Sequence, residues 1–189
     1  MGGVIYVVCS LSPFIKTFSA DTLRQLGEGI HVKEMRNPRD IVVCDHQLYV
    51  ADHQYCIWRV SADNHSYIKW LPTESTTYRF RKRHYSMKYR LHDNKLPTTD
   101  AFQVNTLSVT SRGLLVTSSR DPPNLREYST TGRRLLRHVK SLPKYIKRLY
   151  HGVEVRRDRY VISHQGTLQY KDQTAVSELF NCHHIMIEF

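Results

Sequence analysis

One short pattern recurs along this chain and restricts what it can fold into. Four apolar runs share a shape: Ile5-Tyr6-Val7-Val8, Leu48-Tyr49-Val50-Ala51, Leu114-Leu115-Val116-Thr117 and Tyr160-Val161-Ile162-Ser163. Starting at residues 5, 48, 114 and 160, they lie 43, 66 and 46 residues apart. Three of them follow a second apolar run that starts seven residues earlier: Ile41-Val42-Val43, Leu107-Ser108-Val109 and Val153-Glu154-Val155. A polar turn separates each pair: Cys44-Asp45-His46-Gln47, Thr110-Ser111-Arg112-Gly113 and Arg156-Arg157-Asp158-Arg159. Strand, tight turn, strand is the signature of a β-hairpin.

About ten residues after three of the four apolar runs comes a third element: Phe14-Ile15-Lys16-Thr17-Phe18, Cys56-Ile57-Trp58-Arg59-Val60 and Leu125-Arg126-Glu127-Tyr128. Apolar and polar residues alternate, as in a half-buried strand. Each run ends in a turn, Ser19-Ala20-Asp21, Ser61-Ala62-Asp63 or Ser129-Thr130-Thr131-Gly132. Short outer strands then close two units, Tyr67-Ile68-Lys69-Trp70-Leu71 and Leu135-Leu136-Arg137-His138-Val139. A four-strand meander repeated every 40 to 50 residues or so is the plan of β-propeller blades, in which each small sheet needs a neighbour to cover its faces. The expected fold is therefore all-β, a partial β-propeller of three to four four-stranded antiparallel blades. It forms one domain over 1–189, with units at about 4–34, 35–72, 100–142 and 149–189 and an insertion at 73–99. Ile41, Val43, Leu48, Val50, Ile57, Leu107, Val116 and Val161 are the expected core. The window Asp21 to Gly29 is the one stretch that reads as helical, and it is short. The first unit starts at its second strand and the last ends on the strand-like Ile185-Met186-Ile187-Glu188-Phe189. An arc that takes further blades, or a partner chain, to close is expected.

Composition narrows the class further. With hydrophobic residues at 40% and charged residues at 24%, the chain is globular rather than disordered. The formal net charge of +11 favours acidic partners: nucleic acid, an anionic membrane surface or an acidic protein. Cys9, Cys44, Cys56 and Cys182 include no CxxC pair and are too few for a disulfide scaffold, so free thiols in a reducing, cytoplasmic setting are expected. The apolar run at residues 4–9 is too short, and lacks the basic flank, for a signal peptide. No run approaches the ~18 apolar residues that span a bilayer, so no membrane partner is expected.

The second unit resembles an NHL repeat. It runs from Pro38-Arg39-Asp40-Ile41-Val42-Val43 through Leu48-Tyr49-Val50-Ala51-Asp52 to Cys56-Ile57-Trp58-Arg59-Val60, and so matches a proline, an apolar strand, "LYVAD", and a third strand before a turn. The unit from Leu107 to Leu142 is similar, with Thr117-Ser118 where Ala-Asp stands in the pattern. The Val153 to His164 hairpin is similar in outline. The resemblance implies a propeller that binds RNA or protein, as in tripartite-motif proteins, or, in a few members, a metal-dependent lyase-like enzyme.

Chemistry-bearing residues concentrate in the insertion. Tyr78, Arg79, Phe80, Arg81, Lys82, Arg83, Tyr85, Lys88 and Arg90 interleave rings with cations, which suits phosphate contacts combined with base stacking or docking of an acidic partner. A second basic stretch from Arg133 to Arg159 includes Lys140, Lys144, Lys147, Arg148, Arg156 and Arg157, and maps to turns and rims. Cys182-His183-His184 and the pair His46 and His53 have weak metal spacing, and no metal or cofactor is expected. His151, Glu154 and His164 have the residue types of an acid-base set on neighbouring strands, though hydrogen bonding within a blade suits them better. No GxSxG, Walker loop, HExxH or GxGxxG occurs. A non-catalytic binding or interaction module for protein or RNA is the reading that follows. The alternatives are a truncated or degenerate copy without independent function, and a metal-dependent propeller enzyme.

Overall fold

Each recurring hairpin forms and grows into its own antiparallel sheet. The computed structural model describes residues 3–53, 56–72, 104–118, 123–131, 133–139, 142, 144, 146–166 and 182–188, with 182–188 as backbone only. Its described residues contain strands and no helix.

Sheet 1 holds β1 (Val4–Val8), β2 (Phe14–Ser19) and β3 (Ile30–His31). Sheet 2 holds β4 (Pro38–Cys44), β5 (Gln47–Asp52), β6 (Cys56–Ser61) and β7 (Tyr67–Pro72). In sheet 3 these become β8 (Val104–Thr110), β9 (Gly113–Ser118), β10 (Asn124–Tyr128) and β11 (Leu135–Val139). Sheet 4 holds β12 (Ile146–Arg156), β13 (Arg159–Gly166) and β14 (Cys182–Glu188). Every sheet is a meander in sequence order. Two sheets have the expected four strands. The other two have three each among the described residues. Residues 21–29, which read as helical, form turns, with Phe18 bridging to Gln25.

The turns explain the register. Asp45 and His46 both have positive φ, 49° and 59°, the backbone of a two-residue hairpin turn whose twist matches that of the strands. The β8–β9 turn is held by the Thr110 hydroxyl, whose Oγ1 accepts from Gly113 N at 3.0 Å. In the β12–β13 turn the positive φ falls on Asp158, at 66°.

Consecutive sheets pack face to face. Leu48, Val50, Cys56, Trp58 and Val60 of sheet 2 bury themselves against Ile15 and Ile30 of sheet 1. On the opposite face of sheet 2, Tyr49, Ala51, Ile57 and Trp70 meet Leu107, Leu114, Val116 and Tyr128 of sheet 3. Leu115 and Leu125 of sheet 3 then meet Leu149, Tyr160 and Ile162 of sheet 4. Strand alternation makes this possible, since adjacent residues such as Tyr49 and Val50 serve opposite interfaces. Trp70 is fully buried between Tyr49 and Tyr128, edge-on to both at 5.1 and 6.1 Å. Burying each large side chain of this kind contributes about 1.5–3 kcal/mol. The first strands of sheets 2, 3 and 4 also adjoin, with β8 lying against both β4 and β12. Asp40 Oδ2 accepts from Leu107 N at 2.8 Å across one of these seams, and Asn105 Nδ2 donates to Leu149 O at 2.9 Å across the next.

Five of the eight expected core residues are buried: Leu48, Val50, Ile57, Leu107 and Val116. Ile41 and Val161 are half-buried, and Val43 is 42% exposed. Val43 stands at the turn end of an edge strand, where the covering sheet leaves it open, and Val109 does the same at 43%. The fixed offset of seven also conceals an irregularity. In sheet 4 the pairs are Gly152↔Ile162 and Glu154↔Tyr160, with a register shift between Glu154 and Arg156 that leaves Val155 as an extra residue. Gly152 and Glu154 therefore occupy the positions of Ile41 and Val43, and Val153 turns to the other face with Val161.

Candidate binding rim

In a meander, the first-to-second and third-to-fourth connections lie at one end of the sheet. The Arg112, Arg133-Arg134 and Arg157-Asp158 turns consequently share one rim of sheets 3 and 4. Asp158 gathers them. Its Oδ1 lies 2.7 Å from an Arg112 terminal nitrogen and 2.6 Å from one of Arg137. The same Arg112 nitrogen is 2.8 Å from Glu127 Oε2, and it donates to the Tyr160 hydroxyl at 3.3 Å. Glu127 is only 1% exposed, and a buried carboxylate persists only when paired and hydrogen-bonded. Thr110 Oγ1 supplies its other donor at 2.7 Å.

The electrostatics follow from this geometry. Arg137's hydrogen bond, aided by both guanidinium charges and opposed by partial burial, holds the Asp158 carboxyl below its ordinary value. Burial works against the Arg112 charge, but Tyr160, Glu127 and Asp158 together outweigh it and raise its pKa. Burial pushes the Tyr160 hydroxyl up. This clasp satisfies its own charges. It leaves four exposed arginines around it, Arg133, Arg134, Arg156 and Arg157, which have no carboxylate within salt-bridge distance among the described residues. The crevice beneath, lined by Leu115, Leu125, Glu127, Arg137, Val139 and Tyr160, has no room for a water-sized group.

The other expected residues fall elsewhere. Tyr78, Arg79, Phe80, Arg81, Lys82, Arg83, Tyr85, Lys88 and Arg90 lie outside the described residues, as does Lys140. Pro72 and Val104, which bracket that segment in sequence, stand at the end of the sheets opposite the rim. Lys147 and Arg148 are exposed on β12, and Lys144 is exposed before it. His46 sits exposed in the β4–β5 turn, whereas the His53 ring bonds Val104 O through Nδ1 at 3.0 Å. His183 and His184 pair with His164 and Ser163 through the backbone. His151, Glu154 and His164 do not converge. His151 pairs with Ser163 on the face turned from sheet 3, while Glu154 faces sheet 3 and accepts hydrogen bonds from Ser111 N and Oγ and from Asp158 N. No group of three or more metal-ligating side chains occurs among the described residues. No described helix is long and apolar enough to cross a membrane.

Two constellations escaped sequence reading. The clasp has one sequence cue, the lone Asp158 inside an arginine-rich turn. Asp52 of the "LYVAD" run is fully buried and accepts from Arg36 N, Asn37 N and Trp58 Nε1 at 3.1, 2.7 and 3.0 Å. It ties the loop before β4 to β6 and is structural. No protein-family model matches the chain, and no curated protein matches it.

Proposed function

We propose that this chain is a non-catalytic binding module, an arc of NHL-like propeller blades whose sheet 3–sheet 4 rim docks a polyanionic ligand, RNA or an acidic protein segment. The observation that carries the reading is the set of four exposed arginines, Arg133, Arg134, Arg156 and Arg157, around a self-neutralised clasp, with no carboxylate partner among the described residues. Holding them on hairpin turns lowers the entropy lost on binding. The blade reading draws on meander sheets stacked in sequence order with adjoining first strands. The basic-aromatic run Tyr78–Arg90 offers, by its composition, a second candidate contact for the same ligands.

The test is fluorescence anisotropy with labelled single-stranded RNA and, in parallel, a labelled poly-glutamate peptide, each at several salt concentrations. Replacing Arg133, Arg134, Arg156 and Arg157 together by Ala is expected to weaken binding and to flatten the log–log salt slope by up to about four, roughly one per lost phosphate contact. Replacing Arg81, Lys82 and Arg83 by Ala reports on the other surface. Equal affinity of wild type and the rim variant for both ligands sinks the rim.

A further inference from the structure

The internal interfaces obey one rule. Each sheet turns its second- and third-strand residues of one parity towards the sheet before it, and those of the other parity towards the sheet after it. Sheet 2 buries Leu48, Val50, Cys56, Trp58 and Val60 against sheet 1. The pairs Ile5↔Phe18 and Val7↔Lys16 in sheet 1 repeat Leu48↔Val60 and Val50↔Trp58 in sheet 2. So Ile5, Val7, Lys16 and Phe18 stand where sheet 2 carries its buried preceding face, with Phe14 beside them stacked on the His31 ring at 4.6 Å, and no other sheet among the described residues packs on them. Ile5 is 39% and Phe14 37% exposed, and Val7 and Phe18 are half-buried.

At the other end of the stack, no sheet among the described residues packs on the complementary face of sheet 4. Val153↔Val161 and His151↔Ser163 in sheet 4 repeat Val42↔Tyr49 and Asp40↔Ala51, the following face that sheet 2 buries against sheet 3. Val153 is 43% exposed and Val161 half-buried, and the bulged Val155 beside them is 50% exposed. Sheet 3 packs on sheet 4 through the more polar pairs Ser108↔Leu115 and Thr106↔Thr117. A face with Val153 and Val161 is therefore apolar enough to take a preceding face of the sheet 1 type.

We propose that two copies of this chain associate head to tail, the Ile5–Phe18 face of sheet 1 in each covering the Val153–Val161 face of sheet 4 in the other. This rests on the blade reading above. The occupant follows from continuity: the two free faces are the two halves of the interface that the chain already builds three times. A head-to-tail contact made twice about a twofold axis closes, and it leaves neither face open. The two apolar faces, at opposite ends of the stack, are removed from water in one step.

The experiment is light scattering on the full chain across the micromolar range, for wild type, Ile5→Asp, Val153→Asp and an equal mixture of the two variants. Both positions are exposed, so each variant is expected to keep the cooperative melt of the wild type. Wild type is expected to have twice the chain mass. Each aspartate alone is expected to weaken pairing at least about 100-fold, because a charge enters an apolar contact. The mixture is expected to pair more tightly than either variant alone but more weakly than wild type, since the intact sheet 4 face of Ile5→Asp meets the intact sheet 1 face of Val153→Asp at one of the two contacts. A monomeric wild type overturns the proposal and leaves a sheet from another chain as the occupant. A dimer that survives Ile5→Asp alone also overturns it, because the contact is then a face paired with itself. The rim arginines lie outside both faces. Polyanion binding by a monomeric wild type would therefore defeat only the pairing, and its absence in a well-formed dimer would defeat only the rim.

Discussion

Asp52 and Trp58 meet inside the second sheet, the indole Nε1 donating to the carboxylate Oδ2 at 3.0 Å while the Asp52 side chain is closed off from solvent. The same carboxylate takes the backbone N–H groups of Arg36 and Asn37. Removing it orphans three donors at once, and each unsatisfied buried group costs about 1–3 kcal/mol. Asp52→Ala is expected to destabilise by about 3 kcal/mol or more, a large share of a domain's stability. Trp58→Phe removes one donor and keeps most of the ring, so a loss of about 1 kcal/mol is expected. Urea titration followed by circular dichroism measures both. Equal small losses would mean that the carboxylate does not hold the loop before β4.

Two glycines separate backbone from side-chain crowding. At Gly113, φ is +154° and an added Cβ runs into the carbonyl oxygen of Tyr128, which cannot move without shifting β10. At Gly152 an added Cβ meets Leu115 Cδ2 at 3.2 Å and Ile162 Cγ2 at 3.3 Å, side-chain methyls rather than backbone. Gly113→Ala is expected to cost about 2 kcal/mol or more and Gly152→Ala about 1 kcal/mol, by strain and by overpacking respectively. Denaturant midpoints give the order, and a Gly152→Ala variant less stable than Gly113→Ala would contradict it.

Much of the fold is legible in the sequence because period-two alternation and turns of fixed length are local signals. Ile41–Val43 with Leu48–Ala51, and Leu107–Val109 with Leu114–Thr117, give strand, turn and register together. The same rule misplaces the last hairpin, since a bulge at Val155 adds a residue without breaking the apolar run. Core membership is less legible at edges: Val43 and Leu48 are cross-strand partners, yet one is exposed and the other buried, because exposure depends on how far the neighbouring sheet reaches. The rim was legible only as a basic stretch. That Asp158 joins Arg112 and Arg137, residues 46 and 21 positions away, is decided by tertiary packing. The aromatic-basic run Tyr78–Arg90 is conspicuous as sequence, and its placement lies outside the described residues.

The thiols should differ sharply in reactivity. Burial, reinforced by the nearby Asp52 carboxylate and only partly offset by Lys69, pushes the Cys56 thiol up to about 12. Cys44 is raised too, mainly by burial, while Cys9 is exposed. The thiolate is the reactive form. Iodoacetamide at pH 8 followed by peptide mass spectrometry is expected to label Cys9 first and Cys56 only after denaturation. Because the folded pKa of Cys56 exceeds its unfolded value, its contribution is fully present below about pH 8.5 and is lost as pH rises towards 12. Wild type should therefore lose more stability than Cys56→Ala across that alkaline window. Early labelling of Cys56 in the native chain would show that sheets 1 and 2 do not close over it.

The Asp158 clasp carries a pH signature of the opposite sign. Its carboxyl lies below its ordinary value through the Arg137 hydrogen bond and both guanidinium charges. A depressed folded pKa contributes stability above the unfolded value, near 3.9 for an aspartate, and that contribution is lost as pH falls through the folded value. Asp158→Asn removes the charge and leaves two arginines facing each other. The variant is expected to be less stable than wild type from pH 5 to 8, by a constant margin. Below about pH 4 the two stability curves should draw together, since protonation then does to wild type what the substitution does at every pH. The effect should shrink with added salt, because the group is partly solvent-accessible and its charges are screened. Chemical denaturation of both proteins at several pH values and two salt concentrations measures the margin. A margin that persists unchanged into acid would assign the loss to packing of the turn rather than to the ion pairs. The clasp would then have no electrostatic part in fixing Arg133, Arg134, Arg156 and Arg157 on the rim.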